Sequence, residues 1–239
     1  MILASLSLLL AMTSAEAVAT LLNSANSTGP KTFAEAKAVV EGDAKAGKPL
    51  QQFVIGVSTD DRELAARYLE ASRGKIRAMA EKTGNPLAWY LLSLEKNDIG
   101  LLRKAADGGN VQALNALGTI VTSEAFARKN ITHDELDSAL TRCYGYFQRA
   151  AAQHDPNGFI NLGTCYLRGF GCKQDMALAF ECFKSAAELG HPEGMDNMSA
   201  CYQFGHGVEK SSERSLYWRM RGKAARGDES AQKWLREKK

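Results

Sequence analysis

The sequence predicts an all-α protein of the α/α solenoid class, with about five helix-turn-helix repeats. Three observations lead to this fold class. One segment recurs after 36 residues, apolar side chains inside it recur at helical spacing, and a Gly-x-Gly sequence ends the apolar stretch in both copies. The composition agrees, because a chain of 239 residues with 45% apolar and 24% charged side chains is typical of a soluble globular protein.

The repeat is clearest between residues 157–171 and 193–207, which share Gly, Asn, Cys-Tyr and Gly-x-Gly at equivalent positions. In the third repeat, a longer connection over 122–133 replaces the Gly-x-Gly turn. Weaker copies of the same pattern extend the repeat in both directions. The expected repeat starts are near residues 49, 86, 111, 156 and 192, followed by a C-terminal capping helix over 228–237.

Each repeat divides into two helices. In the fourth, Gly158, Leu162 and Tyr166 form one stripe along a first helix, which the following Gly-x-Gly ends. Asp175 is placed to cap a second helix that ends at Gly190. Each repeat is therefore expected to be an antiparallel hairpin that buries its apolar face against the next hairpin.

This pattern resembles the Sel-one-like repeat (SLR), a relative of the tetratricopeptide repeat. The resemblance covers residues 107–227 well and 45–106 by extrapolation. It implies a right-handed superhelix whose first helices line a concave surface that grips other proteins, with no catalytic role and no cofactor. Gly163 would allow close approach to an alanine of a neighbouring helix. The positions that carry the resemblance are Leu162-Gly163, Tyr166, Gly169, Gly171, Asp175, Ala186-Ala187 and Gly190.

The amino-terminal region is expected to direct export. Residues 1–17 contain an apolar run and then Ala-Glu-Ala, the pattern of a cleavable signal peptide, so the mature protein would be secreted or periplasmic. The alternative is an apolar first helix. The run is too short to cross a bilayer, since eleven helical residues rise only about 16 Å. A flexible linker over 18–31 and a repeat region over 32–239 follow, opened by a capping box from Thr32 to Glu35.

Candidate partner-binding residues lie on the polar face of the first helices. Asn161 and Asn197 are 36 residues apart, and each precedes a buried stripe position. Thr164 and Arg168 share the face of Asn161. Side-chain amides there could donate to and accept from an extended peptide backbone. The equally weighted alternative is a hydrogen bond to the backbone of a neighbouring repeat.

The charge distribution argues against nucleic acid as a partner, because a net charge of +3 supplies no concentrated basic surface. Residues 206–239 nevertheless contain ten Lys and Arg against five Asp and Glu. This segment is either a polar cap that keeps the last repeat soluble or a contact for an acidic partner or an anionic envelope polymer.

Two short motifs suggest an envelope hydrolase as the enzymatic alternative. Ser72-x-x-Lys75 and Lys82-Thr83-Gly84 match signatures of serine β-lactamases and penicillin-binding enzymes. That chemistry needs the second motif on a strand facing the serine, whereas here it falls in a turn between helices, so we interpret the match as coincidence. The four histidines show no metal-ligand spacing, and His154 and His191 are expected to be solvated in turns.

The five cysteines all lie between residues 143 and 201. Cys143 and Cys165 stand eleven residues on either side of His154, so the antiparallel helices that meet there should place them at the same height. In an oxidising compartment we expect a disulfide between them. The alternative is a reduced protein with five small apolar side chains.

Overall fold

A computed structural model describes residues 30–238 of the chain, and within that range all regular secondary structure is helical, with no strand. Sequential helices are joined by short turns. They are α1 (Pro30–Lys45), α2 (Pro49–Ser58), α3 (Arg62–Thr83), α4 (Pro86–Lys96), α5 (Ile99–Asp107), α6 (Val111–Ala127), α7 (His133–Ala151), α8 (Pro156–Arg168), α9 (Met176–Glu188), α10 (Pro192–Phe204), α11 (Ser212–Ala225) and α12 (Glu229–Glu237).

The predicted fold class is confirmed. Five hairpins pair α2 with α3, α4 with α5, α6 with α7, α8 with α9, and α10 with α11. Their first helices begin at the five positions where the sequence pattern placed the repeat starts. The last helix, α12, occupies the segment predicted to cap the repeats. The second hairpin is short because its helices have only 11 and 9 residues.

The beginning of the structured region differs from the prediction. Helix α1 begins at Pro30, so Pro30 and Lys31 belong to a helix instead of the linker predicted over 18–31. The predicted capping box at Thr32 is therefore wrong about where the helix starts, because Thr32 already lies inside it. A proline suits a first helical turn, where its missing N–H would have no intrahelical partner. The predicted signal peptide, residues 1–17, and the rest of the linker lie outside the described residues.

The chain divides into two compact units between residues 108 and 109, where the sequence suggested one continuous repeat region over 32–239. In the first unit, the core contains the fully buried side chains of Phe53, Ile76 and Leu91. In the second unit, one cluster lies around Cys143 and Leu162 and another lies around Phe183, Met198 and Tyr202. The polar face that carries Asn161 and the cysteine cluster around Cys143, both described below, lie in the second unit.

One small residue sets the distance between the two helices of a hairpin. It stands eight residues after the N-cap of the first helix. A Cβ atom added at Gly163 would lie 2.7 Å from the ring of Phe183 on the paired helix, and one at Gly118 would overlap Phe147. The partner of Gly163 is therefore a phenylalanine of the same hairpin, and the predicted alanine is wrong. The equivalent residues in the five hairpins are Gly56, Ser93, Gly118, Gly163 and Ser199, and all five are buried.

The Gly-x-Gly turns join one hairpin to the previous one. The second glycine of each turn, Gly171 or Gly207, has a positive φ of 67° or 70°, which L-residues with side chains rarely adopt. A Cβ atom at Gly171 would overlap the backbone carbonyl of Leu140, and one at Gly207 would overlap that of Met176. Backbone therefore packs directly on backbone where the hairpins stack.

The third hairpin lacks this turn and uses extra helix instead. The sequence suggested a long connection beginning near Thr122, but α6 continues to Ala127. Helix α7 then begins after a capping box in which Thr132 and Glu135 bond each other's backbone amides. The added turn of α6 places Phe126 5.4 Å from Phe170, measured between ring centroids, in the turn of the next hairpin.

We predict that Gly207→Ala lowers the free energy of unfolding by about 2 kcal/mol or more, because the methyl group meets both an unfavourable φ and a backbone carbonyl. Urea denaturation measures the change. Gly145→Ala is the matched control. Gly145 lies inside α7 with open space around its Cα, so that variant should gain about 0.5–1 kcal/mol. Equal stability of the Gly207 variant and the wild type would contradict the proposed packing.

Candidate functional site

A ladder of polar side chains connects the first helices of the third and fourth hairpins. Asp155, the N-cap of α8, accepts a hydrogen bond from the amide of Gly158 at 2.7 Å and another from Nδ2 of Asn115 at 2.8 Å. Nδ2 of Asn161 in turn donates to Oδ1 of Asn115 at 3.4 Å. The ladder thus runs from Asp155 through Asn115 to Asn161.

The environment of Asp155 explains why these hydrogen bonds matter. Its side chain is buried, and burial raises the pKa of the carboxyl group, while the bonds from Gly158 and Asn115 oppose that shift. Sequence reasoning missed both Asp155 and Asn115. The Asp-Pro pair before α8 is a helix-start signal that points to Asp155, but no sequence pattern indicates a bond across 40 residues to Asn115.

The other predicted partner-binding residues have different surroundings. Asn197 takes the place of Asn161 on α10 and is half-buried. The neighbouring Asp196 forms an ion pair with Arg226 at 2.5 Å. The Thr164 hydroxyl donates within its own helix to the carbonyl of Ile160 at 3.0 Å, and Arg168 is exposed at the end of α8. The structure therefore joins Asn161 to Asn115 and leaves the binding role of all four predicted residues as a prediction.

His191 differs from the solvated turn residue that was expected, whereas His154 is exposed as expected. The imidazole of His191 is 1% exposed and caps α10, because its Nδ1 accepts the amide of Glu193 at 3.2 Å. Nε2 is also buried, and no residue in the described part of the chain forms a hydrogen bond with it. Burial lowers the pKa of this imidazole, and the charge of Arg226 lowers it further, so the neutral form is favoured in the folded protein.

Four cysteines pack into the cluster that joins the third and fourth hairpins. Cys143 and Cys165 are buried in it, and Cys172 and Cys182 are partly buried against them. The Cys143 thiol donates to the carbonyl of Leu140 at 3.1 Å, and its interaction with the neighbouring Cys165 thiol lowers the pKa of Cys143 and raises that of Cys165. The helical register predicted from the sequence is thus reproduced. All five cysteines are free thiols in the structure, so the predicted disulfide is not shown.

The motifs that suggested a hydrolase lack the required geometry. Ser72 is completely buried inside α3, and its hydroxyl donates to the carbonyl of Tyr68. Lys75 is exposed, and the Lys82 to Gly84 segment forms the end of the same helix. A nucleophilic serine must reach both substrate and base, and Ser72 reaches neither. The structure gives the hydrolase alternative no support.

The described residues contain neither a candidate metal site nor a helix able to span a membrane. Between residues 30 and 238, no group of three or more His, Cys, Asp or Glu side chains is arranged to hold a metal ion. Over the same range, none of the helices combines the length and the apolar character needed to cross a bilayer.

Comparison with known proteins supports a Sel1-like helical repeat in the second unit. The Sel1 repeat model matches residues 139–155, 160–191 and 192–218, which include the Cys143–Cys165 contact, Asn161 and Asn197. Such repeats generally mediate protein–protein interactions. No curated protein matches the chain.

Two solved structures align with parts of this chain. The protective antigen c5321 of uropathogenic Escherichia coli strains, which displays an SLR fold, aligns with 83% of this chain at 20% identity and a TM-score of 0.52. This chain covers 44% of that antigen. A Sel1 repeat protein from Oxalobacter formigenes is 23% identical over 53% of this chain and 90% of its own, with a TM-score of 0.46.

The burial of His191 predicts acid sensitivity. A histidine whose pKa is lowered in the folded state binds its proton more readily when the protein is unfolded. The free energy of unfolding therefore keeps its full value above the unfolded-state pKa of 6.5 and decreases as the pH falls below 6.5. We expect the urea midpoint to decrease between about pH 6.5 and pH 5. His191→Asn, which preserves a cap, should remove the dependence that this group causes. His133→Asn, at an exposed histidine, should keep it. Equal acid sensitivity of the wild type and the His191 variant would contradict the assignment.

Proposed function

We propose that the protein is an exported scaffold that binds a partner protein or peptide on the polar face of its first helices. The observation that carries the proposal is the side-chain ladder on that face, whose Asp155 and Asn161 lie in segments that match the Sel1 repeat. In the SLR family, this face is expected to be the concave one. An adaptor role requires no cofactor and no catalytic group.

The ladder leaves Asn161 able to bind a peptide. A side-chain amide offers two N–H donors and a carbonyl oxygen with two lone pairs. Asn161 uses one N–H for Asn115, so its other N–H and its carbonyl oxygen stay available. An extended backbone presents one donor and one acceptor per residue, which is the complementary set. The bond to Asn115 would hold the amide in a fixed orientation and reduce the entropy lost on binding.

Export gives the contact between Cys143 and Cys165 a second role. In an oxidising compartment, the disulfide of a thiol oxidoreductase would accept two electrons and two protons from the pair, so that its own S–S bond breaks to two thiols while one S–S bond forms between Cys143 and Cys165. The resulting bridge would join α7 to α8 and so join two adjacent hairpins.

Binding through the polar face predicts that Asn161→Ala combined with Asn197→Ala weakens partner capture by about tenfold, the effect of removing one or two net hydrogen bonds. The measurement is a crosslinked pull-down from the cell envelope, in which the proteins recovered by wild type and variant are quantified side by side.

Arg103→Ala provides the control, because Arg103 is an exposed residue of α5 in the other unit. It should recover the same proteins as the wild type. A melting temperature several degrees lower for the asparagine variant, with capture unchanged, would assign the asparagines a structural role and contradict the proposal.

The disulfide proposal predicts a linked pair of peptides containing Cys143 and Cys165 when protein from its native compartment is digested without reductant. Peptide mapping by mass spectrometry identifies it. Cys201, buried outside the four-cysteine cluster, should be recovered as a free thiol. Five free thiols would contradict both the bridge and the oxidising compartment.

A further inference from the structure

An open groove lies between α11 and α12 at the end of the second unit. Its volume is about 660 Å³. Leu216 and Tyr217 line it from α11, and Trp234 and Leu235 line it from α12. Tyr217 is 42% exposed, so an aromatic ring faces solvent there. Apolar side chains on two adjacent helices form a surface that a third helix can cover.

The groove between α9 and α10 shows how a surface of this kind is covered. Between α9 and α10, Phe183, Met198 and Tyr202 form one apolar cluster. Trp218 of α11, the second helix of the fifth hairpin, packs against this cluster. The groove between α11 and α12 is the next one in the series, and no described helix fills it. Its shape therefore fits an occupant that is itself a helix.

The residue at the close-contact position distinguishes this groove from the earlier ones. Eight residues after the N-cap, where the five hairpins have a buried Gly or Ser, α12 has Arg236. A guanidinium group at this position excludes the close approach that Gly163 gives Phe183. In a regular hairpin, the second helix brings a phenylalanine or another uncharged side chain to this position. A helix that occupies the groove must instead bring a group that can pair with the positive charge of Arg236.

The charges at the groove define what can pair with it. Arg221, Arg236 and Lys238 line it against a single acidic residue, Glu213. Among the described residues, no carboxylate lies within ion-pair distance of these three cations. The guanidinium of Arg221 lies 4.9 Å from the ring centroid of Trp218, which holds the cation over an aromatic face beside the groove. The groove is thus apolar inside and positive at its edges.

We propose that this groove binds an amphipathic, acidic helix of a partner protein. One apolar stripe of that helix packs against Leu216, Tyr217, Trp234 and Leu235, while carboxylates on its flanks pair with Arg221, Arg236 and Lys238. Charge complementarity selects the occupant and steers its approach, and burial of the aromatic rings supplies most of the affinity. The surface is separate from the asparagine ladder, so its test is independent of the proposed function.

The experiment measures binding of a designed 13-residue helix, the length of α9, to the full chain by titration calorimetry. The peptide has a leucine stripe flanked by glutamates, and a second peptide replaces the glutamates with lysines. We expect the acidic peptide to bind at least about tenfold more tightly than the basic one. Arg236→Glu combined with Lys238→Glu, both exposed in the structure, should reverse this preference.

Arg219→Glu is the matched control, because Arg219 is an exposed cation of α11 that does not line the groove. It should leave the preference for the acidic peptide within about twofold of the wild-type value. A reversed preference in the double variant also shows that this variant is folded. Equal affinity for both peptides overturns the proposal. Equal binding of a glutamate-only peptide without leucines also overturns it, because the segment would then be a general contact for anionic polymers.

Discussion

The close contact between the two helices of each hairpin is the constraint on which the rest of the second unit depends. Because Gly118 and Gly163 have no side chain, Phe147 and Phe183 reach the backbone of the paired helix. In the fifth hairpin, a serine pair replaces this packing, with Ser199 donating to the backbone carbonyl of Ser215 at 2.8 Å. Both the glycine–phenylalanine contacts and the serine pair fix the distance between the two helices of a hairpin. The hairpins can then stack in register, since packed interiors tolerate little extra volume.

That stacking also determines where polar chemistry can occur. First helices brought side by side allow Asn115 to meet Asp155 and Asn161, and the same interface between the third and fourth hairpins brings Cys143 to Cys165. Burial raises the pKa of Asp155 and lowers that of His191, so in both cases the neutral form gains relative to the charged form. The polar face, the thiol pair and the acid-sensitive cap are therefore consequences of one repeating contact.

The repeat starts and the cap at Asp175 could be predicted because they depend on local signals, a helix-start residue and an apolar period of about four residues. The contact of Cys143 with Cys165 followed from counting along two antiparallel helices. The Asn115 to Asp155 bond could not be predicted, since it depends on side-chain orientation across two hairpins. His191 was misjudged because a histidine cap buried by its neighbours carries the same sequence signal as a solvated turn.

The fourth hairpin carries both halves of a stacking interface. Gly171 in its turn packs on the backbone of Leu140 in the preceding hairpin, and the backbone of Met176, at the start of its second helix, contacts Gly207 of the following one. Duplication of such a segment within a gene would lengthen the array without any compensating substitution in its neighbours. A hairpin of this kind is therefore the smallest segment whose duplication would preserve both stacking contacts.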